Sequence, residues 1–274
     1  MIYGLEGFKN EALKAATIKY IGSITAFFPK IQERLFYFGF QTEISDACIN
    51  TLVKKGNTWT NANVKNADIV ACDLESGLNG GTLNKANEIA CTIRLDGKAN
   101  DVVVLREKAF QDLGIKTLKD EVLSNKTEAF FHSGLQQTTL EHIIAHELGH
   151  VILDDYFSSY GVNPFLLTCE GKKIKYDPKG EANLDAIRMI NDPATETGDR
   201  KELTKFRAAC ILAFYSMSKG NNACGLYSKL SLLKSGSLEE WMAETISAHF
   251  TGGAMDNYMK TFICLLFHEE KTNC

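Results

Sequence analysis

The segment 138–152 limits the fold more than any other part of this sequence. Thr138-Thr-Leu-Glu141 can form a capping box, in which the Thr hydroxyl and the Glu carboxylate satisfy the first free amides of a helix. Ile143, Ile144, Leu148, Val151 and Ile152 then fall close to one helical stripe, so the spacing predicts an amphipathic core element. Inside it stands His146-Glu147-Leu148-Gly149-His150. Residues four apart on a helix differ by about 40° in direction and about 6 Å in rise, so both rings can meet one metal ion. Neutral imidazole suits zinc, and a catalytic zinc site takes three protein ligands plus water. Glu147 follows the first ligand directly. There its carboxylate can take a proton from water at the open position and pass it to a leaving amine. A polar patch on a surface helix could carry the same pattern, but a capped, core-type helix argues against that reading.

His142 would extend the series to three. The outer rings would then be about 12 Å apart along the axis, too far for one tetrahedral centre, so His142 is read as a packed or surface residue. The third ligand has to come from elsewhere. Positions three and six after His150 are Leu153 and Tyr156, which excludes the branch that places Gly and His there, and an Asp at the sixth position is excluded as well. The stretch 237–250 offers Glu239, Glu240 and Glu244 on an expected helix. Glu240 and Glu244 share a face, and small Ala243 allows close approach to the metal helix. Glu240 is taken as the ligand and Glu244 as the acceptor that orients a ligand histidine.

His146-Glu-Leu-Gly-His-Val-Ile-Leu-Asp-Asp-Tyr156, followed by Glu240-Trp-Met-Ala-Glu244-Thr-Ile, resembles the zincin metallopeptidases of the anthrax lethal factor type. Their relatives include toxins and Pro-Pro-cleaving endopeptidases. The resemblance covers residues 100–270, is specific only across these two short motifs, and owes nothing to the first hundred residues. It implies a zincin-like fold, one catalytic Zn2+ held by His146, His150 and Glu240, and endopeptidase activity on a protein substrate. It further implies that Asp154 or Asp155 supports the site, although one extra residue separates His150 from that pair. A tyrosine is expected to hydrogen-bond the developing oxyanion, because charge builds on the scissile carbonyl as water attacks. Tyr227 is the nearest upstream candidate, with Tyr160 and Tyr176 as rivals.

Composition narrows the remainder. A chain of 274 residues with 45% hydrophobic and 23% charged residues can bury a large core, which excludes dominant disorder. A net charge of −4 argues against a nucleic-acid binder. No window reaches the roughly 18 apolar residues a membrane span needs. The best N-terminal candidate, 16–28, is interrupted by Lys19, so no cleavable signal peptide is expected. The eight cysteines form no CxxC pair and are read as reduced thiols.

Helical spacing runs over 5–24 and 31–53. Runs rich in β-branched residues at 68–72, 89–93 and 101–105 read as strands. Helices resume at 203–217, 237–250 and 255–267, while 157–200 reads as an irregular insertion. The expected fold class is therefore α+β. Residues 1–60 would form a helical region packed on a metallopeptidase domain of 61–274, with a small mixed sheet and a mainly helical C-terminal part.

The chain is expected to be a monomeric bacterial effector, secreted into the host cell cytoplasm by a dedicated system and cleaving a host protein. Two alternatives are a metalloprotease of the bacterial cytoplasm that cleaves a bacterial or phage regulator, and a non-catalytic, zinc-stabilised binding module.

Overall fold

In the computed structural model, which describes residues 2, 4, 5, 8, 11–40, 90–94, 101–105, 140–160, 201–218 and 238–267, the motif segment forms one long helix packed between a sheet and other helices. The described elements are, in order, α1 (Glu11–Phe27), α2 (Ile31–Arg34), β1 (Leu35–Phe40), β2 (Ala90–Arg94), β3 (Asp101–Leu105), α3 (Leu140–Tyr160), α4 (Lys201–Ser218), α5 (Glu239–Thr251) and α6 (Asn257–Leu266). The expected strand at 68–72 and the capping residue Thr138 lie outside the described residues.

The sheet is mixed, in the order β1-β3-β2. β1 runs parallel to β3, with Phe38 opposite Val103. β2 runs antiparallel to β3 and sets Thr92 opposite the same Val103. The expected helix over 31–53 is corrected in its described part, 31–40: Ile31–Arg34 is helical and Leu35–Phe40 is a strand, while 41–53 lie outside the described residues. Leu35-Phe-Tyr-Phe-Gly-Phe40 is dominated by aromatic residues that favour strands, and a short apolar run carries no period that separates helix from strand. Leu35, Tyr37 and Phe38 are buried. The region 1–60 is thus not wholly helical, since it contributes a strand to the sheet that contains β3.

α3 is the centre of the molecule. Its broadest neighbour is α5, and it also touches α1, α2, β2 and β3. The sequence predicts one apolar stripe. The structure instead buries every residue from His142 to Gly149 and from Val151 to Asp155. A helix enclosed on all sides keeps polar residues only if they find partners, and those on α3 do, as described below. The helix also continues to Tyr160, so 157–160 are not part of an irregular insertion. Residues 161–200 lie outside the described part.

α3 and α5 come together where their side chains are smallest. A Cβ built on Gly149 would lie 3.2 Å from the Cα and 3.3 Å from the carbonyl oxygen of Ala243, tighter than ordinary packing allows. Around this contact Ile144, Leu148, Val151 and Ile152 of α3 are buried with Trp241, Met242 and Ile246 of α5. Each large side chain so buried contributes about 1.5–3 kcal/mol. The far end of α3 is tied by Tyr156, whose ring stacks on Phe206 of α4 at 5.2 Å and whose hydroxyl donates to the Leu266 carbonyl of α6 at 2.7 Å. α5 ends on Gly252 at φ 72°, a left-handed cap that glycine adopts without a Cβ clash. Asp256 then caps α6 by accepting from the Met259 amide at 2.8 Å.

Of the cysteines, Cys210 is a buried free thiol whose pKa burial pushes up. Cys264 on α6 is disulfide-bonded, which corrects the reading of all eight as reduced; its partner is not among the described side chains. Spacing carries no signal for such a bond, because its two residues need only be close in space. No described helix is long and apolar enough to cross a membrane.

Candidate metal centre

Three side chains converge between α3 and α5. His146 and His150 project from successive turns of α3, and Glu240 projects from the first turn of α5. Their nearest ligand atoms form a triangle. His146 Nε2 and His150 Nε2 are 3.1 Å apart, His146 Nε2 and Glu240 Oε2 are 3.2 Å apart, and His150 Nε2 and Glu240 Oε2 are 3.5 Å apart. Two ligands at about 2.05 Å from a tetrahedral zinc are about 3.3 Å apart, so the triangle has the size of one face of such a coordination shell.

The partners of the other ring atoms say which atoms face one another there. His150 Nδ1 is 2.9 Å from Glu239 Oε1, and a carboxylate can only accept, so Nδ1 carries the proton and Nε2 is left with its lone pair. Glu244 Oε1 lies 3.1 Å from His146 Nδ1, at ion-pair distance but poorly aligned for a hydrogen bond, and favours the same tautomer. Glu240 Oε2 is buried and has no hydrogen-bond donor. Three lone-pair-bearing atoms therefore face one another at 3.1–3.5 Å, an arrangement that repels itself unless a cation, or protons in its place, sits between them. Two imidazoles and a carboxylate suit zinc.

Protonation follows the same field. Burial works against a charged His146, but Glu244 and Glu240 overcome it and hold the ring well above the ordinary histidine value. For His150, burial is likewise outweighed by Glu240 and Glu239, which raise it to about 9. Burial would raise Glu240, yet His150 and His146 draw it down to about 2. Glu244, also opposed by burial, is held below the usual carboxylate range by His142 and His146. The pocket is built to hold positive charge.

Behind the triangle lies a second layer. Glu244 Oε2 is 2.8 Å from His142 Nε2, and His142 Nδ1 is 2.7 Å from Ser247 Oγ. Ser247 also donates to the His142 carbonyl at 2.8 Å. His142 is 2% exposed and Glu244 1%, so this chain is dry and braces the carboxylate beside His146. His142 is thus a packed residue that acts through Glu244. His249 sits on the far side of α5 among Phe27, Phe250 and Phe267, where burial lowers its pKa.

Glu147 is buried beside the sheet. Its Oε2 accepts from Thr92 Oγ1 of β2 at 2.7 Å, and its carbonyl oxygen is 3.1 Å from the same hydroxyl. Asp154 and Asp155 turn to another partner, the buried Arg34. Arg34 Nη1 reaches Asp155 Oδ1 at 3.2 Å, Nη2 bonds Asp154, and Nε reaches Asp101 Oδ2 of β3 at 3.3 Å, while Lys30 Nζ lies 3.3 Å from Asp155. The two aspartates thereby fasten α3 to α2 and the sheet. Tyr227 and Tyr176 lie outside the described residues, and Tyr160 is the last residue of α3.

Four contributors have roles that sequence reasoning did not assign. Glu239 is the neighbour of the expected ligand, and only its place in the first turn of α5 lets it reach His150. Ser247 shares a face with Glu244, a spacing that could have been noticed. Thr92 and Arg34 carry no local signal, because their partners are 55 and at least 67 residues away. No protein-family model matches the chain, and neither does any curated protein or solved structure.

Proposed function

We propose that the protein is a zinc-dependent endopeptidase with a zincin-like fold, in which His146, His150 and Glu240 hold one Zn2+. The observation that carries the proposal is the triangle of His146 Nε2, His150 Nε2 and Glu240 Oε2. Among the described residues these three form the group that could hold a metal ion. Three protein ligands favour a catalytic site over a structural one, which is usually closed by four. When bound, zinc supplies Lewis-acid polarisation of the scissile carbonyl and lowers the pKa of water. Glu147, next to a ligand on α3, accepts the proton of the attacking water at a carboxylate oxygen and delivers it to the nitrogen of the leaving amine. Glu239 orients His150, and Glu244, braced by His142 and Ser247, orients His146. Tyr227 is the candidate donor to the oxyanion. The motif resemblance favours a protein substrate in a host cell, reached by a secreted effector.

The test compares wild type with Glu147→Gln, each loaded with zinc, in eukaryotic and bacterial lysates, with new protein N-termini mapped by mass spectrometry. Cuts made by wild type alone are expected, and the lysate in which they arise separates a host target from a bacterial regulator. Identical maps for the two proteins in both lysates would overturn the peptidase reading and leave a zinc-stabilised binding module.

A further inference from the structure

We infer that Thr92 is a positioning residue for Glu147, holding one oxygen of its carboxylate on the sheet and leaving the other to act as the base. The inference rests on the peptidase reading. Thr92 Oγ1 lies 2.7 Å from Glu147 Oε2 and 3.1 Å from the Glu147 carbonyl oxygen. A hydroxyl has one proton to give, and the shorter, charge-assisted bond to the carboxylate is the stronger. Two elements meet in this bond. The ladder that pairs Thr92 with Val103 fixes the backbone of β2, and a β-branched side chain is stiff at χ1, so the sheet sets the place of Oγ1 independently of α3. Glu147 by contrast has three side-chain torsions, and without a donor its carboxylate would be free to turn. A base works only within hydrogen-bond reach of the proton it takes, and its place must hold to about 0.5 Å, so fixing Oε2 aims Oε1.

The bland alternative is that Thr92 only satisfies a buried carboxylate and adds stability. Two variants separate these possibilities. Thr92→Val removes the hydroxyl and keeps the shape, whereas Thr92→Ser keeps the hydroxyl. Both are loaded with zinc, and zinc content is measured. Acetohydroxamate, which chelates zinc as its hydroxyl proton passes to a neighbouring carboxylate, is then titrated by calorimetry. Turnover is followed on a peptide spanning a cleavage site mapped in the lysate experiment.

Positioning predicts that Thr92→Val weakens acetohydroxamate about tenfold and lowers kcat by about tenfold or more, with KM within about twofold of wild type. Thr92→Ser should recover most of both, with one zinc per chain throughout. Equal acetohydroxamate affinity and kcat in Thr92→Val and wild type would overturn the inference, as would a Thr92→Ser variant as impaired as Thr92→Val. A zinc-loaded wild type that does not bind acetohydroxamate would overturn it too. If acetohydroxamate binding depends on the hydroxyl and neither lysate yields a cut, the positioning of Glu147 stands and the peptidase reading fails.

Discussion

Gly149→Ala tests whether the close approach of α3 and α5 builds the proposed metal centre. In an ordinary helix the substitution stabilises by up to about 1 kcal/mol, because glycine loses more backbone freedom on folding. Here the new methyl would lie 3.2 Å from Ala243 Cα, 3.3 Å from its carbonyl oxygen and 3.5 Å from its Cβ. Comfortable carbon contacts begin near about 3.5–4.0 Å, so the helices must part by a few tenths of an ångström. Such overpacking costs about 1–3 kcal/mol, giving a net destabilisation of roughly 0–2 kcal/mol.

The larger effect falls on the metal. Ala243 lies between Glu240 and Glu244, and metal–ligand distances tolerate only about 0.2 Å, so zinc affinity should fall by about tenfold or more. Urea denaturation of the metal-free protein and competition with a chromophoric chelator measure the two quantities. Gly22→Ala on α1, where a Cβ meets nothing within 4 Å, is the control and should show the ordinary helix gain with zinc binding unchanged. If Gly149→Ala were stabilised like the control and bound zinc as tightly as wild type, the contact with Ala243 would not be what sets the ligand geometry.

Other perturbations probe the surroundings of the site. Glu239→Gln and Glu244→Gln should each lower zinc affinity about 10- to 100-fold in the same chelator competition while the far-ultraviolet circular dichroism stays native. Arg34→Met should cost about 3–5 kcal/mol in urea denaturation, because it takes the buried guanidinium away from the carboxylates of Asp101, Asp154 and Asp155. A loss below about 1 kcal/mol would show that the cluster is solvated rather than buried. The metal-free protein should lose stability as pH rises through about 9. The contribution of His150, whose pKa is raised to about 9 on folding, is full below the unfolded value near 6.5 and disappears as the folded ring deprotonates. Zinc binding near neutral pH should accordingly release protons, which calorimetry in buffers of different ionisation heat would count.

The convergence of His146, His150 and Glu240 was open to reading because helix geometry is local. The spacing of His146 and His150 fixes their relative direction whatever the helix packs against, and the small Ala243 beside Glu240 pointed to a helix that could approach closely. Of their surroundings, the place of Glu244 beside a histidine was legible from the face it shares with Glu240, and the rest was not. Asp154 and Asp155 follow the motif closely enough to suggest support for the metal, yet Arg34, more than a hundred residues earlier, engages both. The described part of the stretch read as helix, 31–40, shows the other kind of failure. Its aromatic residues can be spaced onto a helix or alternated on a strand, and only pairing with β3 decides for the strand at Leu35–Phe40. The capping box and apolar stripe predicted for α3 describe a helix with one dry face. Once α5 and the sheet enclose it, its polar residues become a buried network that no period reports.

X-ray absorption at the zinc edge of the zinc-loaded protein tests the central claim most directly. The account predicts one zinc per chain in a shell of nitrogen and oxygen ligands at about 2.0–2.1 Å, with imidazole scattering from two histidines that falls when His146 or His150 is replaced. A shell containing sulfur at about 2.3 Å, or a spectrum unchanged in His146→Ala and Glu240→Ala, would place the metal elsewhere and contradict the account.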